Sequence, residues 1–157
     1  MRMHRISSDF LVAAPLEKVW DFSINAENLS KVSPPKYRLK VFHTGTLNDG
    51  SIVKIRTRMP PLPIETLVLS KVEGINAQGD LRSFRDKQIE GPFKYWSHEH
   101  IFERDPKGTW IRDRVDYALP LGILGVWANS LVVKRSLEQM FAFRKNEFEK
   151  IFGIPQK

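Results

Sequence analysis

The feature that most constrains the fold is a change of hydrophobic period near residue 120. Before it, apolar residues recur mainly at every second position. After Pro120-Leu121-Gly122 they recur every three to four. Val126, Ser130, Val133, Leu137, Met140, Phe141, Arg144, Phe148, Ile151 and Phe152 fall on one arc of a helix, with Arg135, Gln139, Asn146 and Lys150 on the opposite side. This spacing predicts a long amphipathic helix laid against something apolar, ended by Gly153 and Pro155.

Upstream, His4, Ile6, Ser8, Phe10 and Val12 share one face of a first strand. Pro15 opens a short helix, where its missing N–H costs nothing, and Leu16, Val19 and Trp20 form the apolar side. Asn25 is read as the cap of a second short helix carrying Leu29 and Val32, stopped by Ser33-Pro34-Pro35. Strands are predicted over 37–43, 51–59, 64–72, 81–90, 94–103 and 109–119. Between them stand Asn48-Asp49-Gly50, the rigid Pro60-Pro61-Leu62-Pro63, Glu73-Gly74-Ile75-Asn76, Gly91-Pro92 and Asp105-Pro106-Lys107-Gly108. One strand, two short helices, about six strands and a long helix make an α+β pattern, a helix packed on one face of an antiparallel sheet. With no repeat, low-complexity tract or linker in view, a single domain over 1–157 is expected.

Composition narrows the chemistry. There is no Cys among the 157 residues, so disulfides, thiolate metal sites and Cys nucleophiles are excluded. Lys and Arg number 25 against 18 Asp and Glu, a formal charge of +7. The first residues are polar, the apolar stretch 10–14 is too short for a signal-peptide core, and no apolar run approaches the roughly 20 residues that span a bilayer. A cytoplasmic location without a transmembrane segment is the expectation.

The order of elements resembles the helix-grip fold of the START-like (SRPBCC) superfamily, which includes the birch-pollen allergen, lipid-transfer START domains and polyketide cyclases. The residues agree with it. Ala14-Pro15-Leu16-Glu17-Lys18-Val19-Trp20-Asp21-Phe22 resembles the opening of that family's first helix, and Asn25-Ala26-Glu27-Asn28-Leu29 the turn after it. Phe84-Arg85-Asp86-Lys87-Gln88, Gly91-Pro92-Phe93, Trp96 to Phe102, Asp113 to Tyr117, Pro120-Leu121-Gly122 and Phe143-Arg144 resemble a bacterial ligand-binding branch. The resemblance implies a curved sheet of about seven strands wrapped round the long helix, with a cavity between them for a mostly apolar ligand. Carriers, sensors, cyclases, hydrolases and ribosome-binding factors share the fold, which therefore does not fix an activity.

Strand parity points to candidate groups. Trp96, His98, His100 and Phe102 share a face, as do Ile111, Asp113, Val115 and Tyr117, and Phe84, Asp86, Gln88 and Glu90. Turning these faces inward makes His98, His100, Asp113, Asp86 and Gln88 a polar cluster in an apolar interior. The cluster is open to four readings: a satisfied hydrogen-bond network, the anchor of a ligand's polar head, proton transfer by His98 or His100 oriented by Asp113 or Asp86, or a metal held by the His-x-His pair with Asp113. The last is disfavoured by the small number of ligands, and no metal or other cofactor is expected. Arg144, inside the apolar arc, calls for a partner, and Asp86 or Glu90 is favoured over a ligand carboxylate. Lys54, Arg56 and Arg58, Arg112 and Arg114, and Arg82, Arg85 and Lys87 read as solvated sheet faces, so nucleic acid is not the expected partner. Ser97 falls on an outer face, and no nucleophile elbow or phosphate loop is present.

The expectation is therefore a domain that binds a small hydrophobic or amphipathic molecule such as a lipid, polyketide or isoprenoid. Trp20, Leu29, Trp96, Phe102, Tyr117, Leu137, Met140 and Phe141 would line the cavity, with His98, His100 and Asp113 as anchors beside Asp86, Gln88 and Arg144. A cyclase or dehydrase, and a ribosome- or RNA-associated factor, are the alternatives. The sequence leaves monomer and homodimer both open.

Overall fold

A computed structural model describes residues 1–58, 64–120 and 130–157. The predicted connection at 60–63, Met59, Leu121, Gly122 and Val126 lie outside the described residues, and of Ser130 only the backbone is described.

Strand β1 (His4–Val12) leads into helix α1 (Leu16–Ser23) and two 3-10 turns (Ala26–Val32 and Pro35–Tyr37). Strands β2 (Lys40–Val41), β3 (Ile52–Arg58), β4 (Glu65–Asn76), β5 (Leu81–Glu90), β6 (Tyr95–Asp105) and β7 (Gly108–Ala118) follow, and then helix α2 (Ser130–Phe152). The seven strands form one antiparallel sheet in the order β1-β7-β6-β5-β4-β3-β2. This is the helix-grip arrangement that the sequence predicts. No helix among the described residues is long and apolar enough to cross a membrane.

Two glycines anchor the end of the sheet nearest the α2 C-terminus. Gly153, at φ +84°, turns the chain out of α2 and returns its N–H to Glu149 O at 2.8 Å. Its own carbonyl then accepts from Ala13 N–H at 3.0 Å, tying the helix end to the end of β1. Gly108, the first residue of β7, lies so close to β1 that a Cβ would stand 1.9 Å from Val12 O.

The structure departs from the sequence expectations at four places. The strand over 37–43 shrinks to Lys40–Val41, because Pro34-Pro35 start a 3-10 turn that runs through Tyr37, so the chain is not extended at its first residues. That turn leaves Arg38 at φ +45° and Tyr37 Oη at 3.0 Å from Ser136 O on α2. Asn25 stands at the N-cap position of the second short helix, which is 3-10, but its side chain makes no cap bond: its amide, oriented to suit its neighbours, donates to Gly45 O at 2.8 Å. Residues 73–76 continue β4, with a register shift between Glu73 and Asn76 and Gly74 at φ +65°. Ser97 is buried despite its outward parity; in register it lies between Lys87 and Asp116, long or paired side chains that cover it.

The interior holds two apolar clusters. One gathers α1, Phe10, Phe84, Phe102 and Phe148; the other gathers Phe93, Val115, Tyr117, Val133, Leu137 and Phe141. Along the inner face of β6 the order Trp96, His98, His100, Phe102 runs from the second cluster through a polar pair into the first.

Candidate functional site

Three neighbouring strands build the polar cluster. Across β5, β6 and β7 the register sets Asp86 opposite His98, and His100 opposite Asp113. The hydrogen bonds run diagonally instead. His98 Nε2 meets Asp113 Oδ1 at 2.8 Å, and His100 Nε2 meets Asp86 Oδ2 at 2.7 Å. The other ring nitrogens face the opposed carboxylates at longer range, His98 Nδ1 to Asp86 Oδ2 at 3.8 Å and His100 Nδ1 to Asp113 Oδ1 at 3.5 Å. The imidazole centroids lie 3.7 Å apart, with the ring planes tilted by 31°. His100 stacks on Phe84 at 4.3 Å, and His98 meets the edge of Phe141 at 5.6 Å. Aromatic rings on both sides therefore fix the two imidazole planes.

Arg144 closes the cluster from α2. Its Nε donates to Asp113 Oδ2 at 3.2 Å, and its guanidinium carbon lies 4.7 Å from the Phe148 ring centre. This corrects the expected partner, which is neither Asp86 nor Glu90. Glu90 lies beyond a register shift near the end of β5 and is exposed, whereas Asp113 stands beneath α2 with no side-chain exposure.

The electrostatics follow from this packing. Burial opposes ionisation of Asp113, but the charge of Arg144 and the His98 hydrogen bond outweigh it and hold the carboxyl well below the usual carboxylate range. Asp86 is also lowered: burial again works against it, and the His100 hydrogen bond and the His98 charge prevail. Burial, reinforced by repulsion from His98, pushes His100 down to about 4 against the pull of Asp86. His100 is thus neutral at pH 7. Two carboxylates and one guanidinium give the cluster a formal charge of −1 when both imidazoles are neutral.

The cluster forms part of the wall of a cavity of about 220 Å³ between the sheet, the first 3-10 turn and α2. Of the residues singled out from sequence, Leu29, Asp86, Gln88, Trp96, His98, His100, Leu137, Met140, Phe141 and Arg144 line it. Asp113, Trp20, Phe102 and Tyr117 do not appear among the lining residues. Trp20 and Phe102 pack edge to face with each other at 5.8 Å, and Tyr117 is buried against Phe93 and stacked on His4. These three aromatics are plain core. Gln88 spends its amide locally, donating to Phe93 O at 2.7 Å and receiving Phe93 N–H at 3.4 Å, and so clamps the turn at 91–93.

Sequence reasoning missed the far wall, formed by Val53, Ile55 and Thr57 of β3 with Val68, Ser70 and Val72 of β4. The signal was available, since these β3 positions alternate with Lys54, Arg56 and Arg58. Among the lining residues described, Asp86 and Arg144 alone carry full charges. Asp86, His98 and His100 each offer one ligand atom within 4.8 Å of the others. The carboxylate of such a set is thus Asp86 rather than Asp113, which Arg144 already engages. Both Nε2 atoms of the set are engaged with carboxylates.

Comparisons with known proteins agree with this architecture. Residues 12–143 match the family described as polyketide cyclase/dehydrase and lipid transport. A Streptomyces halstedii protein, named provisionally as a polyketide cyclase, is 26% identical over 106 residues, 67% of this chain and 93% of that protein. A START superfamily protein from Mycobacterium smegmatis superposes with a TM-score of 0.69 at 15% identity, covering 95% of this chain and 97% of the other. Norcoclaurine synthase from Thalictrum flavum, in complex with dopamine and hydroxybenzaldehyde, gives a TM-score of 0.62 at 16% identity, covering 96% and 86%. The major latex-like protein of Panax ginseng gives 0.64 at 12% identity, covering 96% and 97%. The family match spans most of the chain, the fold and the cavity accompany it, and the chain belongs to the polyketide cyclase/dehydrase and lipid transport family.

Proposed function

We propose that the protein binds a small, mostly apolar molecule in the cavity between the sheet and α2, and that the ligand's polar end is a neutral hydrogen-bond donor such as a phenol, enol or alcohol. One observation carries the reading. The cavity is predominantly apolar, and its charged wall pairs Arg144 with a carboxylate behind it while leaving Asp86 with 23% of its side-chain surface accessible. An apolar pocket with a few placed polar groups orients a ligand by those groups. With Arg144 spent on Asp113 and His100 neutral, the wall offers an acceptor and disfavours a second carboxylate.

Native mass spectrometry of protein purified from its own host tests for a retained small molecule. Calorimetric titration with 2-naphthol and with 2-naphthoate tests the head-group preference. Naphthol is expected to bind at least about tenfold more tightly, a difference of roughly 1.4 kcal/mol, and Asp86→Asn narrows the gap. Absence of both a retained molecule and any naphthol binding defeats the reading.

The paired imidazoles favour a second reading, proton transfer in an enzyme of the cyclase or dehydrase type. With Nε2 of His98 donating to Asp113, its Nδ1 is left with a lone pair 3.8 Å from Asp86 Oδ2, the arrangement of an oriented general base. The name of the Streptomyces relative supports it. His98→Gln separates the two readings: a carrier keeps full function if its affinity is unchanged, whereas an enzyme keeps affinity and loses turnover of the recovered ligand.

A further inference from the structure

The outer face of the sheet divides by charge. Over β1 and β5–β7 the cations are paired: Arg5 with Asp116 at 2.6 Å, Arg114 with Asp9 at 2.5 Å, Arg85 with Glu99 at 3.1 Å, Lys87 with Glu73 at 2.6 Å, and Arg112 with Glu103. The β2–β3 edge is different. Among the described residues Lys40, Lys54 and Arg56 have no acidic partner, and residues 59–63 and 121–129 contain no Asp or Glu that could supply one.

The arrangement at this edge is costly for folding alone. Lys40 stands directly across from Arg56 in the β2–β3 register, a like-charge pair. Phe42 sits beside them, its N–H bonded to Lys54 O at 2.8 Å and its side chain 44% exposed. The Phe42 ring has Lys40 Nζ at 5.2 Å, Lys54 Nζ at 5.8 Å and the Arg56 guanidinium carbon at 5.3 Å from its centre. Leu67, across from Arg56 on β4, is 45% exposed, and Ile52 on β3 is 47% exposed. Three unpaired cations thus surround one exposed ring, with one exposed aliphatic side chain on β3 and another on the neighbouring β4.

We propose that this edge is a docking surface for an anionic lipid bilayer. The cations match a layer of lipid phosphates and carboxylates, which would neutralise the Lys40–Arg56 repulsion. Phe42, Leu67 and Ile52 are the side chains that gain from leaving water at the headgroup–acyl boundary. A single-stranded nucleic acid would supply phosphates too, but two of the three apolar side chains are aliphatic and offer its bases no stacking platform. The opposite face of the same strand lines the cavity through Val53, Ile55 and Thr57, so a docked protein holds its cavity one strand away from the bilayer. The docking itself does not depend on what the cavity holds.

Co-sedimentation with vesicles tests this, using phosphatidylcholine alone and phosphatidylcholine mixed with phosphatidylserine, at low and high salt. The protein is expected to bind the anionic vesicles only and to release at high salt. Each cation near such a surface contributes roughly a fivefold factor, so Lys54→Glu/Arg56→Glu should cut binding by well over about tenfold. Phe42→Ser should weaken it at unchanged salt dependence. Arg56→Gln guards against misfolding: relief of the Lys40 repulsion should leave Tm equal or higher while vesicle binding falls. No binding to anionic vesicles, equal binding to neutral ones, or indifference to all three variants overturns the proposal. So does tighter binding to a single-stranded RNA homopolymer than to the anionic vesicles.

Discussion

Arg144 and Asp113 lie 31 residues apart in the chain and meet inside the protein, Nε to Oδ2 at 3.2 Å, where Asp113 has no solvent exposure. A carboxylate so placed depends on its partner more than the partner depends on it. Arg144→Met should therefore destabilise the protein by about 3–5 kcal/mol, since it strands a buried charge. Replacing both groups, as Arg144→Met/Asp113→Leu, removes the stranded charge but leaves buried His98 Nε2 without its acceptor, so it should recover only part of that loss. Urea denaturation of the three proteins measures it; a single Met variant as stable as the parent would mean that the pair contributes nothing.

His100 sets a pH dependence. Its folded value is about 4 against an ordinary 6.5, so on acidification the unfolded chain takes up the proton first. Its contribution is complete above about pH 6.5 and is lost as the pH falls towards 4, at most roughly 3 kcal/mol at 1.36 kcal/mol per pH unit. Asp86 and Asp113, both lowered, begin to add their losses as the pH enters the ordinary carboxylate range, and go on losing below it. Urea midpoints between about pH 7 and about pH 4.5 should fall for the parent and fall less for His100→Gln.

The cavity can be filled from α2. Met140 lines it and is only partly buried, so Met140→Trp places the larger ring in open space rather than in packed core. Ligand retention should drop while Tm stays within a few degrees or rises, because filling a void restores contacts at little strain. Mass spectrometry of the co-purified ligand, paired with a thermal melt, separates this outcome from general unfolding.

The two glycines at the sheet end should differ in tolerance. Gly108→Ala meets Val12 O at 1.9 Å, backbone against backbone, and should cost at least about 3 kcal/mol. Gly153→Ala has Ala13 Cβ at an ordinary 3.5 Å and meets only the strain of its positive φ, about 1–2 kcal/mol. Thermal melts of the two variants should rank them in that order.

Much of the candidate site was legible because a strand's period is two. Once the apolar residues of β5, β6 and β7 chose the inner face, Asp86, His98, His100 and Asp113 went with them. The same parity told nothing about depth. Trp20, Phe102 and Tyr117 face inward as surely as Trp96 does, yet they fill core while Trp96 borders the void. Local chemistry also misled where a proline pair intervened: residues 37–43 alternate like a strand, but the strand itself is only Lys40–Val41, with one further bond from Phe42 N–H to Lys54 O.

The sequence by itself determined the long C-terminal helix, the antiparallel order, the turns at Gly50, Gly91 and Gly108, and which face of each strand carries the titratable groups. These follow from periodicity and from residues with restricted or unusual backbone freedom, which act over a few positions. Only the tertiary structure decided that Arg144 answers Asp113, that each histidine bonds the diagonal carboxylate, and that three unpaired cations gather round Phe42 at one edge of the sheet. Those outcomes depend on distances between elements far apart in the chain, which sheet curvature and helix placement set and no local pattern encodes.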